Sequence, residues 1–222
     1  MKKFSVLDFS ALVVWLIPIG YLFFGYSSLP INVPLHYNIR GNVDRYGSKG
    51  EFVAFQALLM GISALVYLLL KFLPVIDPKK QVKQDESTFQ KLAFGLVVFL
   101  AALSIVIIYS ALSSGFKIER LLLPVISLLF VFVGNLLNSI KPNYFAGIRT
   151  PWTLENEDNW RATHRLAGKV WFIGGIVLTV MVLFLPTEAA AIAFTSCVVV
   201  MALIPVTFSY LYFRKHHLNQ NS

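Results

Sequence analysis

Arg149, Trp152, Trp160 and His164 lie in one short polar stretch of an otherwise apolar chain. A guanidinium offers a planar fork of donors that matches a carboxylate or phosphate. An indole gives a flat apolar wall, and an imidazole can both donate and accept near neutral pH. With Asn143, Thr150 and Thr163 beside them, these residues could clasp an anionic group, such as a lipid phosphate or a peptide carboxylate. In the alternative, Arg149 and His164 cap neighbouring helix ends and hold the loop down. A second polar stretch carries His36, Asn38, Asp44 and Lys49. His36 and Asp44 are metal-ligand types, but two without a third make a weak site, so no metal and no cofactor is expected. Gly47-Ser48-Lys49 lacks the residue order of a phosphate-binding P-loop. This stretch is either a compact hydrogen-bonded loop or an exposed contact surface.

Six apolar runs without a charged residue must position these stretches: Ala11–Leu29, Phe52–Leu70, Leu92–Leu112, Leu121–Ile140, Val170–Leu185 and Ala189–Phe213. About 20 apolar residues in a helix cross the hydrocarbon core of a bilayer. Charged residues make up 14% of the chain, against about 25% in soluble domains. A soluble helix shows a polar face, and these runs show none. The expectation is an all-α polytopic bundle of six transmembrane helices. Lys2-Lys3 and the apolar stretch after them are read as an uncleaved first helix rather than a signal peptide.

The net charge of +8 is distributed by side. With both termini on one side, that side holds every basic residue except Arg40, Arg45, Lys49, Lys117 and Arg120. The positive-inside rule then puts both termini in the cytoplasm of a multi-pass cell-membrane protein. The excess charge orients helices and meets anionic headgroups, so direct nucleic-acid binding is not expected. The chain divides into a two-helix unit, residues 1–76, with an outer loop at 30–51. A charged cytoplasmic linker follows at 77–91, then a four-helix unit at 92–222 with an inner loop at 141–169. Cys197 falls inside the sixth run and is read as a packing residue. Pro18 and Pro205 interrupt the first and sixth helices, as packing kinks or as hinges.

Within the inner loop, Thr153 is the expected N-cap of a short amphipathic helix, with Glu155 and Glu157 complementing its dipole. Glu157 and Arg161 are spaced to pair. Trp160, His164 and Ala167 share a face, with Thr163 beside them. Trp152, Trp160 and Trp171 cluster near the inner membrane boundary; an interfacial aromatic belt accounts well for Trp171 and less well for Trp152 and Trp160, which Arg149, Thr150 and His164 accompany. Asn135 and Asn138 point one way on the fourth helix, toward hydrogen bonds with another helix or the floor of a pocket. In the outer loop, Val33, Leu35, Tyr37 and Ile39 alternate like a half-buried strand that turns at Gly41-Asn42.

Asn143-Tyr144-Phe145, Gly147 to Leu154, Trp160, Thr163-His164, Ala167-Gly168 and Gly174-Gly175 resemble the signature of the SdpI family. These are bacterial multi-pass membrane proteins named for immunity to a secreted killing peptide. Pro34-Leu35-His36-Tyr37-Asn38, Gly41, Asp44 and Gly47-Ser48-Lys49 are similar to the outer loop that often precedes that signature. The resemblance implies a non-enzymatic immunity or receptor protein. Its partners would be the bilayer, a secreted toxin peptide at the outer face and a cytoplasmic repressor. A transporter and a membrane enzyme acting at the inner face are the competing classes. Against the first, the six runs hold no ionisable residue. Against the second, there is no nucleophile triad, paired intramembrane Asp or metal motif.

Overall fold

The computed structural model describes residues 4–77, 86–113 and 116–220. Lys2-Lys3, Gly115 and residues 78–85 of the expected linker lie outside the described residues. Among the described residues, six helices are long and apolar enough to cross a membrane. They are α1 (Val6–Gly25), α2 (Lys49–Ile76), α3 (Glu86–Leu112), α4 (Glu119–Leu137), α6 (Glu157–Phe184) and α7 (Thr187–Gln220). The short α5 is Pro151–Glu155, and strands β1 (Val33–Tyr37) and β2 (Val43–Gly47) form an antiparallel hairpin between α1 and α2. The chain is an all-α polytopic bundle with one small hairpin at its rim. In hydrocarbon every backbone donor and acceptor must be met within the segment, which is why the charge-free runs are helical.

Polar residues set the starts of these helices. Ser5 and Asp8 form a capping box on α1, and Ser48 and Glu51 form another on α2. Each box satisfies two of the amide hydrogens left free at a helix start. Helices also run past the apolar runs: Glu86 to Lys91 are the first turns of α3, and α6 begins at Glu157.

The most intimate contact is between α4 and α6. Gly134 lies against the α6 backbone at Trp171 and Phe172, Gly168 against the Gly134 carbonyl, and Gly175 against Val131 and the Ser127 carbonyl. A Cβ at Gly175 would stand 2.8 Å from the Val131 nitrogen. Small residues let membrane helices approach backbone to backbone, which compensates for the missing hydrophobic drive between them. α7 packs on α6, whereas α1 and α2 each lean on α3 and scarcely touch one another.

Pro205 cannot donate to the carbonyl one turn back, that of Met201. The indole N–H of Trp171 takes that carbonyl instead, at 2.9 Å. Trp171 also meets Phe130 edge-on. It is therefore a tie between α6 and α7, not simply a belt residue. Asn135 and Asn138 do share a face, but both are exposed, so the expected bond to another helix is not formed.

The alternation of helices places the hairpin at one end of the bundle and α5 at the other. The hairpin is anchored by Val33, which is fully buried among Leu29, Phe52 and Ile108. Leu35 and Tyr37 follow it inward as half-buried residues, while Ile39 is exposed at the tip.

Candidate functional site

At the α5 end, the stretch from Asn143 to His164 folds as one hydrogen-bonded knot. Asn143 is buried and uses its whole amide locally. Its Oδ1 accepts from the backbone N–H groups of Phe145 and Ala146 at 2.7 and 2.8 Å, and its Nδ2 donates to the carbonyls of Lys141 and Ala146. Gly147 follows with φ +120°, a conformation that side chains rarely adopt. A Cβ there would also run into His164 Nε2.

The turn aims the Ile148 N–H at His164. Nε2 accepts it at 3.0 Å, while Nδ1–H donates to the Trp160 carbonyl at 2.8 Å. Both ring nitrogens are thereby engaged, and the bonds fix the neutral ring with its proton on Nδ1. The imidazole stacks on Trp160 with centroids 4.0 Å apart, and the Trp160 indole donates to the Ile140 carbonyl at 2.8 Å. Both side chains are almost wholly buried.

Thr150, not Thr153, caps the helix here. Its Oγ1 accepts from the Thr153 N–H at 3.2 Å. The Thr153 hydroxyl accepts from the Thr150 N–H at 2.9 Å and donates to the Ile148 carbonyl at 2.8 Å. Pro151 fits the first helical position, where no donor is needed. α5 ends after one turn, and Asn156 caps α6 by accepting from the Asn159 N–H at 2.8 Å. The expected amphipathic helix, leading into the fifth membrane helix, forms the opening turns of α6, with Glu157 and Arg161 paired at 2.5 Å.

The knot is tied to α7. Thr163 donates to Asn159 Oδ1 at 2.9 Å, Asn159 Nδ2 donates to the Ser209 carbonyl at 2.9 Å, and the Ser209 and Thr150 hydroxyls are 3.2 Å apart. Trp152 is half-buried against Tyr210 and Phe213. Arg149 is exposed, and its guanidinium donates to the Tyr144 carbonyl. Of the seven residues predicted for this site, Asn143, Thr150, Trp160, Thr163 and His164 are brought together and bonded to the protein. Arg149, exposed on the Tyr144 carbonyl, and Trp152, half-buried on α7, lie outside that network.

At the hairpin end, His36 Nδ1 meets Asp44 Oδ1 at 2.5 Å across the strands, on an exposed face. Asn38 Oδ1 accepts from the N–H groups of Arg40 and Asn42, shaping the tip around Gly41 at φ +76°. Lys49 Nζ reaches the carbonyls of Tyr26 and Ser27 at 3.4 and 3.5 Å, above the Tyr26 ring. These four residues form three separate local contacts and do not converge on one point. The tip instead reaches across the bundle, where Arg40 pairs with Glu188 at 2.9 Å. Beneath the hairpin, the Tyr37 and Ser110 hydroxyls are 2.8 Å apart, and burial pushes the Tyr37 phenol above its ordinary value. Among the described residues, no three His, Cys, Asp or Glu side chains are gathered as for a metal ion.

Two polar features lay outside the sequence reading. Asp8 is buried at the α5 end, where it accepts from the Tyr67 hydroxyl at 2.6 Å and pairs with Lys71 at 2.7 Å. Gln56 is buried between α1, α2 and α3. Asp8 precedes the first apolar run, and its partners are far away in sequence, so spacing carried no signal.

The chemistry of the knot belongs to residues 139–211, and that segment matches the model of the SdpI/YfhL protein family. Residues 13–61, which include the hairpin, match a domain of unknown function, DUF1648. The curated Immunity protein SdpI of Bacillus subtilis (strain 168) is 23% identical over 191 residues, covering 86% of this chain and 87% of that protein. No solved structure matches the chain. The SdpI signature is thus largely accounted for by folding: Asn143, Gly147, Thr150, Trp160 and His164 build the loop, and Gly168 and Gly175 dock α6 on α4.

Proposed function

We propose that the chain is a membrane immunity protein that protects a bacterial cell from a secreted antimicrobial peptide by binding it rather than by catalysis. The observation that carries this reading is the match to Immunity protein SdpI, which runs through both loops and spans 86% of the chain. The polar groups of the α5-end knot are engaged by protein partners, so they shape the loop rather than offer a free nucleophile or base. The hairpin faces the outside, and both termini and α5 face the cytoplasm. The basic residues support this orientation: among the described residues, Lys71, Lys91, Lys141, Arg149, Arg161, Arg165, Lys169, Arg214 and Lys215 fall on the α5 side, against Arg40, Arg45, Lys49, Lys117 and Arg120 on the hairpin side. His36, Asn38, Asp44 and Lys49 then belong to a contact surface for the peptide. Exposed Arg149 and half-buried Trp152, held in place by the knot, form a surface for a cytoplasmic repressor.

The test is deletion of the gene followed by challenge with the producer's own secreted peptides. Sensitivity should rise and return to normal when the full chain is restored. Unchanged sensitivity across those peptides would overturn the immunity reading.

A further inference from the structure

Because α1 and α2 lean apart on α3, a crevice of about 720 Å³ opens between them. Ligand pockets between bundle helices have this size, with apolar walls and a few placed polar groups. Here Trp15 closes one end by donating its indole N–H to the Met60 carbonyl at 2.9 Å. Tyr26 and Gly50 line the other end, toward the hairpin. Ala57 and Gly61 form part of the α2 wall, and a Cβ at Gly61 would meet nothing within 4 Å.

The polar group at the floor is Gln56. It is 2% exposed, and its Oε1 accepts from the Ser104 hydroxyl at 2.7 Å. Its Nε2 has no partner among the described residues. A buried amide donor left unmet is unfavourable, so the site is incomplete without an acceptor from elsewhere.

We propose that this crevice seats an apolar segment of the secreted peptide, and that an acceptor on that segment takes the Gln56 Nε2 hydrogens. The proposal rests on the immunity reading and names the place where the peptide binds. Depth selects a peptide over a phospholipid. Gln56 lies two helical turns beyond Lys49, about 10 Å along α2. Phospholipid acceptors sit in the polar headgroup layer and their acyl chains carry none, whereas a peptide can place a hydroxyl, amide or carbonyl at any depth. The shape agrees. From Tyr26 to Trp15 the crevice runs about 16 Å, three turns of helix. Small residues at Gly50, Ala57 and Gly61 allow close approach of a second helix backbone.

The experiment uses the full chain in the deletion strain, challenged with the producer's secreted peptides. Gly61→Trp puts an indole into the crevice from a position where a Cβ meets nothing within 4 Å, Gln56→Leu removes the donor, and Gly20→Trp is a control outside the crevice lining where a Cβ likewise meets nothing. Membrane abundance is measured for each. At equal abundance, Gly61→Trp should lower the protective concentration at least about tenfold and Gln56→Leu several-fold, with Gly20→Trp unchanged. A photocrosslinking residue at position 57 should yield an adduct of peptide mass, a readout independent of whether Gly61→Trp folds. If the native chain protects while Gly61→Trp and Gln56→Leu protect equally, or if position 57 labels only phospholipid, the crevice is not the seat and the immunity reading stands. If the native chain gives no protection, both fall.

Discussion

His164 is the point at which the knot can be measured. Replacing it by Phe keeps a ring against Trp160 but leaves the Ile148 N–H without its acceptor. An orphaned buried donor costs about 1–3 kcal/mol. Replacing it by Ala removes the ring as well, and loss of a buried aromatic side chain costs about 3–5 kcal/mol. For a chain of this length, 1 kcal/mol moves the melting temperature by about 2–4 °C. His164→Ala should therefore melt roughly 10 °C below the native protein, and His164→Phe about half as far. Intrinsic tryptophan fluorescence during heating in detergent reads both, because Trp160 reports on the same contact. Gly147→Ala should fall between them and combine less than additively with His164→Ala, since both act on the Ile148 turn. A His164→Ala protein within about 0.5 kcal/mol of native would refute this reasoning, as would a Phe variant as damaged as the Ala variant; the expected magnitudes come from the transfer and cavity terms above.

Gly175→Leu should prevent close docking of α6 on α4, costing more than about 3 kcal/mol and sharply reducing folded protein in size-exclusion profiles. Tyr37→Phe and Ser110→Ala should each lower stability by about 0.5–1.5 kcal/mol, and the double variant by little more than either alone, as checked by thermal melts. Reversing the exposed pair with Arg40→Glu should change stability by less than about 1 kcal/mol, and adding Glu188→Arg should restore what is lost. In a Cys197→Ala background, His36→Cys and Arg149→Cys should label from opposite sides of sealed vesicles; labelling from the same side would overturn the bundle layout.

The six helices were legible because lipid leaves the backbone only one solution for a long charge-free run. The first strand was legible from Val33, Leu35 and Tyr37. Its partner was not, because Asp44, Arg45 and Tyr46 are all exposed and show no alternation. Helical spacing put Trp160, His164 and Ala167 on one face, and that face is buried. The same spacing paired Asn135 with Asn138 but could not say that their face points away from the bundle. Pro151 marked a helix start at Thr150 more strongly than any feature of Thr153 did. The Asp8–Lys71 pair and the Trp171–Met201 bond join residues from different helices. Such contacts depend on which helices are neighbours, and local pattern does not encode that.

α7 touches both specialised ends of the molecule. Glu188 in its first turn holds the hairpin tip through Arg40, and Ser209 far along it holds Thr150 and Asn159. Between them lie about 30 Å of helix, stiff along its axis and softened only at Pro205, where Trp171 braces the missing bond. The last helix therefore makes one contact with each rim: an exposed ion pair worth less than about 1 kcal/mol at the hairpin, and a buried hydrogen-bonded one at the knot.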